Sequence, residues 1–196
     1  HFTKVFTVSN NTKKDIINAL KTPNLKTPNL VGQGTSNKTF TINDNTVLRL
    51  MHTDNRKAIV DEINGLKNQS ILYNSLREHE QKLGYNPICE VKQYGKFKSN
   101  IDGFTTTKPR AYAFLEYIKG GELLTSINGD QIINNINLIK KITYNILYTV
   151  DIIHKQGFLC LDLKPENFML VNNIKEHIDN NISSVNENGK IKFIDF

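Results

Sequence analysis

The chain has 196 residues, 38% of them apolar, and its 25 Lys and Arg against 19 Asp and Glu give a net charge of +6. This reads as a slightly basic, soluble globular protein, long enough for one or two domains with a sizeable core. No apolar run approaches membrane-spanning length and no signal peptide opens the chain, while Cys89 and Cys160 supply neither a disulfide framework nor metal-ligand spacing. A reducing, cytoplasmic setting is the simplest expectation.

Taken in order, His1 to Val8 alternates like an edge strand, and Asn11 or Thr12 can cap a helix with Ile16, Ile17 and Leu20 on one face. A tandem repeat follows, Lys21-Thr22-Pro23-Asn24-Leu25 and Lys26-Thr27-Pro28-Asn29-Leu30. Its prolines make it an extended connector, and two copies of five residues cannot build a solenoid. Gly32-Gln33-Gly34 then offers a backbone that can approach a ligand closely and point N–H groups at phosphates, although the same residues suit an ordinary hairpin turn. Asn43-Asp44-Asn45 reads as the next turn, and Thr46 to Met51 as a strand carrying one charge, Arg49.

Asp54 to about Leu83 reads as a long helix, capped by Asp54, with Ile59, Ile63 and Leu66 as its apolar stripe and Asp61 and Glu62 within it. Gly84-Tyr85-Asn86-Pro87 breaks it. Ile88 to Phe97 and Arg110 to Tyr117 alternate as two strands joined by a polar turn from Lys98 to Lys108. The lysines around this turn lack aromatic interleaving, so they read as a solvated hairpin and not as a nucleic-acid surface. Gln131 to Lys155 is a second long helix, apolar over a wide arc and therefore expected to be mostly buried.

The most informative stretch is Phe158-Leu159-Cys160-Leu161-Asp162-Leu163-Lys164-Pro165-Glu166-Asn167-Phe168-Met169-Leu170-Val171. Its apolar runs read as short buried strands, and Pro165 argues against helix through the loop between them. The loop holds a carboxylate, an ammonium and a carboxamide. A carboxylate can orient a hydroxyl and accept its proton, an ammonium can neutralise a phosphoryl group, and an amide oxygen can ligate a hard metal ion.

Asp162-Leu163-Lys164-Pro165-Glu166-Asn167 resembles the catalytic loop of the protein kinases, and Ile191 to Phe196 resembles the strand leading into their Asp-Phe-Gly motif. The likeness runs over roughly residues 29 to 196. It implies an α+β fold of the protein-kinase type: a small antiparallel-sheet lobe with one long helix over 29–116, a hinge at 117–121, and the first part of a helical large lobe over 122–196. Residues 1–28 form an N-terminal extension. It further implies ATP and Mg²⁺ as cofactors and the Ser/Thr hydroxyls of proteins as acceptors. Asp162 and Lys164 would be catalytic, and Asn167 and Asp195 would hold the metal. Gly32, Gly34 and Arg49 would serve the phosphates, and Glu62, with Asp61 as the competing candidate, would pair with the Arg49 cation at the nucleotide site. Leu115 would guard the adenine slot, with the backbones of Glu116 and Ile118 facing the base. Nucleic acid and membrane are not expected as partners.

Several positions depart from the kinase pattern. Asn37 stands for the third glycine of the glycine-rich loop, and Arg49 stands where the family carries a lysine. Cys160 and Leu161 replace the His and Arg before the catalytic Asp. Without an arginine at 161, control through an activation-loop phosphate is not expected. Asn172 to Gly189 reads as a polar surface insertion. The residues that follow Asp-Phe in kinases are not in the sequence, so a longer protein or another chain is expected to complete the large lobe. Two other readings remain: a pseudokinase that acts as a binding module, and a kinase of small molecules such as choline or inositol phosphates, whose corresponding strand resembles Val47-Leu48-Arg49-Leu50.

Overall fold

A computed structural model describes residues 12, 14, 16, 30–34, 36–53, 55–77, 80, 84–98, 100–101, 104–105, 109–127, 136–172 and 190–195. The chain divides into two compact units, His1–Lys67 with Glu90–Tyr117, and Asn68–Cys89 with Ile118–Phe196. The expected N-terminal strand, the Lys-Thr-Pro-Asn-Leu repeat up to Asn29 and most of the 172–189 insertion lie outside the described residues.

The first unit is built on a five-stranded antiparallel sheet in the order β1-β2-β3-β7-β4. Its strands are β1 (Leu30–Gln33), β2 (Asn37–Asn43), β3 (Thr46–Met51), β4 (Val91–Phe97) and β7 (Arg110–Glu116). The segment between β4 and β7, expected as a plain polar turn, carries a small hairpin of β5 (Asn100–Ile101) and β6 (Phe104–Thr105). On one face Phe40, Leu48, Leu50, Phe97, Tyr112 and Phe114 close around Ile16, which is fully buried. Thr12, Lys14 and Ile16 are helical, and Gln93 Nε2 donates to the Thr12 hydroxyl (3.1 Å). On the opposite face Met51 and Ala111 meet Ile59 of helix α1 (Arg56–Ser75).

Asp54, the expected cap of α1, lies outside the described residues. Asn55 caps the helix: its Oδ1 accepts from the N–H groups of Lys57 (2.9 Å) and Ala58 (3.2 Å), two of the donors a helix start leaves unpaired. Past Ser75 the i to i−4 hydrogen bonds continue at Leu76, Glu80 and Gly84. Gly84, at φ +71°, ends the run in the left-handed conformation that glycine adopts without a Cβ clash.

The second unit packs α3 (Ile136–Lys155) against the hairpin of β8 (Phe168–Leu170) and β9 (Ile191–Phe193), with α2 (Leu123–Ile127) beside β8. Leu138, Ile142, Ile152 and Ile153 are the buried stripe of α3. Its apolar arc is wider than its buried face: Tyr144 and Leu147 are each 64% exposed, because the described elements cover one side only. Ile88 and Cys89, expected to open β4, belong here. Ile88 bridges Phe193 in parallel, and the N–H of Cys89 donates to the Phe193 carbonyl (3.0 Å).

Candidate functional site

In the first unit, Gly32 lies on β1 opposite Thr39, and the N–H of Gly34 closes a turn onto the Asn37 carbonyl (2.9 Å). Neither glycine has a positive φ, and a Cβ on either would meet nothing nearer than 3.9 Å. The fold therefore does not demand glycine at 32 or 34.

Arg49 is not an outward-facing charge. It sits on β3 between Thr39 of β2 and Ala113 of β7, and its side chain is 15% exposed. Glu62, on the first part of α1, is the carboxylate that meets it, and not Asp61. Nε lies 3.1 Å from Glu62 Oε1, and Nη2 donates to Glu62 Oε2 at 3.4 Å. Two contacts from one planar group to one carboxylate hold the guanidinium along one edge.

Asn37 lies against the same guanidinium. With its oxygen turned to Arg49 it accepts from Nε (3.1 Å) and Nη2 (2.9 Å) while its nitrogen donates to the Ser36 carbonyl (3.3 Å). The opposite orientation provides one contact to Glu62 Oε2 at 3.3 Å. The first is the better-satisfied arrangement, because it gives two charged donors an acceptor.

Leu115 is buried mid-sheet between Val47 and Val91. Beside it, Glu116 is tied to Glu90 twice: its N–H donates to the Glu90 carbonyl (3.0 Å) and its carboxylate accepts from the Glu90 N–H (3.2 Å). The backbone at the end of β7 is thus held from two sides.

In the second unit, Ile118 is buried, and Gly120 and Gly121 follow it. Gly121 has φ +82°. A Cβ on Gly120 would collide with the Leu170 carbonyl and lie 2.5 Å from the Asn172 carbonyl oxygen. Close backbone approach to β8 requires glycine at 120, and the left-handed backbone favours it at 121, reasons invisible in the sequence.

The loop from 158 to 167 departs from the expected strand-loop-strand in two ways. Phe158 to Cys160 is not a strand, and Leu159 and Leu161 are 70% and 90% exposed. The preceding helix explains the path. At its end the N–H of Phe158 donates to the Ile153 carbonyl (3.2 Å) and that of Gly157, at φ +81°, to His154 (2.9 Å). This double closure turns the chain out of α3 and packs Phe158 back on the cluster that contains Ile153. Pro165 begins a single 3₁₀ turn, Pro165–Asn167, where a proline at the first position loses no needed N–H.

That turn brings the polar residues together. Asn167 is buried, and its Nδ2 donates to the Asp162 carbonyl (2.8 Å) and to Asp162 Oδ2 (3.2 Å). Lys164 Nζ donates to the same carboxylate. The N–H of Ile194 donates to the Asn167 carbonyl (3.0 Å), which sets Asp195 one residue beyond this contact. The Lys164 ammonium beside Asp162 holds its carboxyl below the ordinary 3.8, and the Asn167 amide adds to the effect. Asp162 raises Lys164 in return, with smaller contributions from Glu166 and Asp195. Burial pushes the Cys160 thiol up, so it stays neutral, and the side chain packs against the core.

The donor set suits a hard divalent ion. With its nitrogen engaged by Asp162, Asn167 could offer its carboxamide oxygen to such an ion, and Asp195, one residue past the Ile194 contact, could offer a carboxylate. Among the described residues no group of three or more His, Cys, Asp or Glu is found. Mg²⁺ needs none, since it keeps several waters and draws other oxygens from phosphates. Asn37 is the neighbour the sequence did not reveal; there it was only a missing glycine.

The family model of the protein kinase domain matches residues 30–196. The chain belongs to the protein kinase domain family. This kinase domain is 31% identical over 90 residues to CBL-interacting serine/threonine-protein kinase 20 of Arabidopsis thaliana, which covers 46% of the chain and 17% of that relative. It is 34% identical over 98 residues to smooth-muscle myosin light chain kinase of Gallus gallus, covering 50% of the chain and 5% of the relative. The chain thus spans a small fraction of either relative. Among solved structures, Rad53 1–466 in complex with AMP-PNP aligns over 85% of the chain and 37% of its own length, at TM-score 0.51 and 19% identity. A twitchin kinase fragment of C. elegans aligns over 85% of the chain and 31% of its own length, at TM-score 0.54 and 16% identity. These likenesses establish the α+β protein-kinase fold: a five-stranded antiparallel sheet with one long helix, and the first helical part of the large lobe. Among the described residues no helix is long and apolar enough to cross a membrane.

Proposed function

We propose that this kinase domain transfers the terminal phosphoryl group of ATP, with Mg²⁺, to Ser/Thr hydroxyls of protein substrates. The observation that carries the reading is the double engagement of Asn167. Its amide fastens Asp162, and its backbone carbonyl receives Ile194 beside Asp195. Asn167 and Asp195 would hold Mg²⁺, which supplies charge neutralisation at the phosphates. Asp162, kept ionised by Lys164, would orient the acceptor hydroxyl and take its proton, and Lys164 would offset charge on the transferred group.

In the first unit Arg49, oriented by Glu62, would hold ATP phosphates. Gly32 and Gly34, which the fold itself does not require, would let backbone N–H groups approach them. Leu115 and the backbones of Glu116 and Ile118 would receive adenine, with 29–116 as the small lobe and 117–121 as the hinge. Lys164 and the names of the relatives support Ser/Thr acceptors and protein substrates.

Asp162→Asn tests the assignment. The variant should bind ATP with Mg²⁺ as the parent does, read as a shift in melting temperature. It should also lose transfer of labelled phosphate to a basic protein. Undiminished transfer would reject the role of Asp162. Arg49 in the lysine position favours a second reading, a pseudokinase that scaffolds a partner. Absence of any melting shift at millimolar ATP with Mg²⁺ would select it.

A further inference from the structure

Asn37 occupies a junction between two parts of the first unit. Its backbone carbonyl closes the glycine turn by accepting from the Gly34 N–H (2.9 Å). In the better-satisfied amide orientation its carboxamide oxygen lies within hydrogen-bond distance of Arg49 Nε and Nη2. The carbonyl of Ser36, one residue earlier, accepts both the His52 N–H (2.9 Å) and the Asn37 amide (3.3 Å), which anchors the amide plane to the end of β3. The strand register places Asn37 opposite Met51 and Thr39 opposite Arg49, so Asn37 is the diagonal neighbour of the arginine on one sheet face.

We propose that Asn37 is a positioning residue matched to arginine at 49: with Glu62 it clasps the Nε–Nη2 edge of the guanidinium and so sets the angle at which that group meets the phosphates of a nucleotide. The inference rests on the nucleotide reading above. An arginine presents a planar fork, and its direction matters as much as its charge. Glu62 alone leaves the plane free to tilt about its two contacts. A second acceptor on the same edge, from a neighbouring strand, removes that freedom. A lysine has no such edge, and its ammonium can swing to reach a phosphate from several directions. Asn37 is therefore useful with Arg49 and of little use with a lysine. The same residue also ties the glycine turn to the cation, so the two phosphate-facing features move together.

The test is a double-mutant cycle on the chain with Asn37→Ala, Arg49→Lys and the pair, reading ATP affinity with Mg²⁺ by calorimetry. Charge-assisted hydrogen bonds of this kind predict a loss of about tenfold for Asn37→Ala in the Arg49 background, and less than about twofold in the Arg49→Lys background. Equal losses in the two backgrounds, or none in the first, would overturn the proposal. A second measurement needs no nucleotide. The Arg49 Nε–H resonance should be protected from exchange with water in the parent chain and lose that protection in Asn37→Ala, with the backbone spectrum of β3 retained. An unchanged resonance removes the clasp and leaves the nucleotide reading intact. A parent chain that binds no ATP removes that reading, while the resonance still decides whether Asn37 holds the arginine.

Discussion

Gly120→Ala is a severe test of how the second unit holds β8 and the turn before it. The backbone at 120 has no positive φ, so alanine is conformationally acceptable there and any cost is steric. A Cβ would lie 2.5 Å from the Asn172 carbonyl oxygen and 2.6 Å from the Leu170 carbonyl carbon, and closer still to the Leu170 oxygen, where ordinary contact begins at 3.4 Å. The obstacles are backbone atoms of β8 and the residues after it, so no side chain can swing away. Clearing the Asn172 oxygen alone needs a displacement of about 0.9 Å and the Leu170 oxygen needs more, which strains packing around the buried Leu170 and the hydrogen bond from its N–H to the Gly121 carbonyl (2.9 Å). Overpacking together with that weakened bond predicts a loss of about 1.5–4.5 kcal/mol. For a chain of this size that is a fall in melting temperature of roughly 3–18 °C. Circular dichroism gives the melting point, and hydrogen exchange at Leu170 shows whether β8 is the place that gives way. Gly121→Ala is the control: its Cβ meets nothing within 4 Å, and only the left-handed φ opposes it, at about 1–2 kcal/mol. A Gly120→Ala protein that melts with the parent, or above Gly121→Ala, would refute the argument.

Three further outcomes follow from the same structure. Gly32→Ala and Gly34→Ala should leave stability unchanged or raised by about 0.4–1 kcal/mol, through the lower entropy of the unfolded chain, yet weaken ATP binding. Denaturant titration and calorimetry together check the opposed signs. Asn55→Ala should cost about 1 kcal/mol by removing the acceptor for Lys57 and Ala58, seen as a lower denaturation midpoint with unchanged slope. Lys164→Met should return the Asp162 carboxyl toward its ordinary 3.8, read by carboxyl-carbon NMR titration. Because the folded value is depressed, the pair's contribution is present above 3.8 and is lost as pH falls through the lowered value. In the variant the acid limb of phosphoryl transfer should accordingly move up in pH. An unmoved limb would mean that another group sets it.

The polar cluster of the second unit was legible in the chain because its residues are local. Asp162, Lys164 and Asn167 lie within one short loop, and a proline at the start of a single 3₁₀ turn suffices to converge them. Asp195 follows a short apolar strand that pairs with Phe168 to Leu170, directly after the same turn. The exposed leucines before Asp162 were not legible, since an apolar run reads as a strand until the capping of α3 shows where the chain turns.

The first unit shows the limit. Composition and spacing determined the hairpin, its turn at Asn43 to Asn45 and the single cation on its second strand. Counting back evenly from that turn would set Arg49 opposite Phe40, on the apolar face. A bulge between Thr41 and Asn43 shifts the register by one, so that Arg49 faces Thr39 and shares a face with Asn37 and with the helix that carries Glu62. A one-residue slip moves every side chain to the other side of a sheet, and only the packing of Phe40, Leu48 and Leu50 around Ile16 decides which register holds.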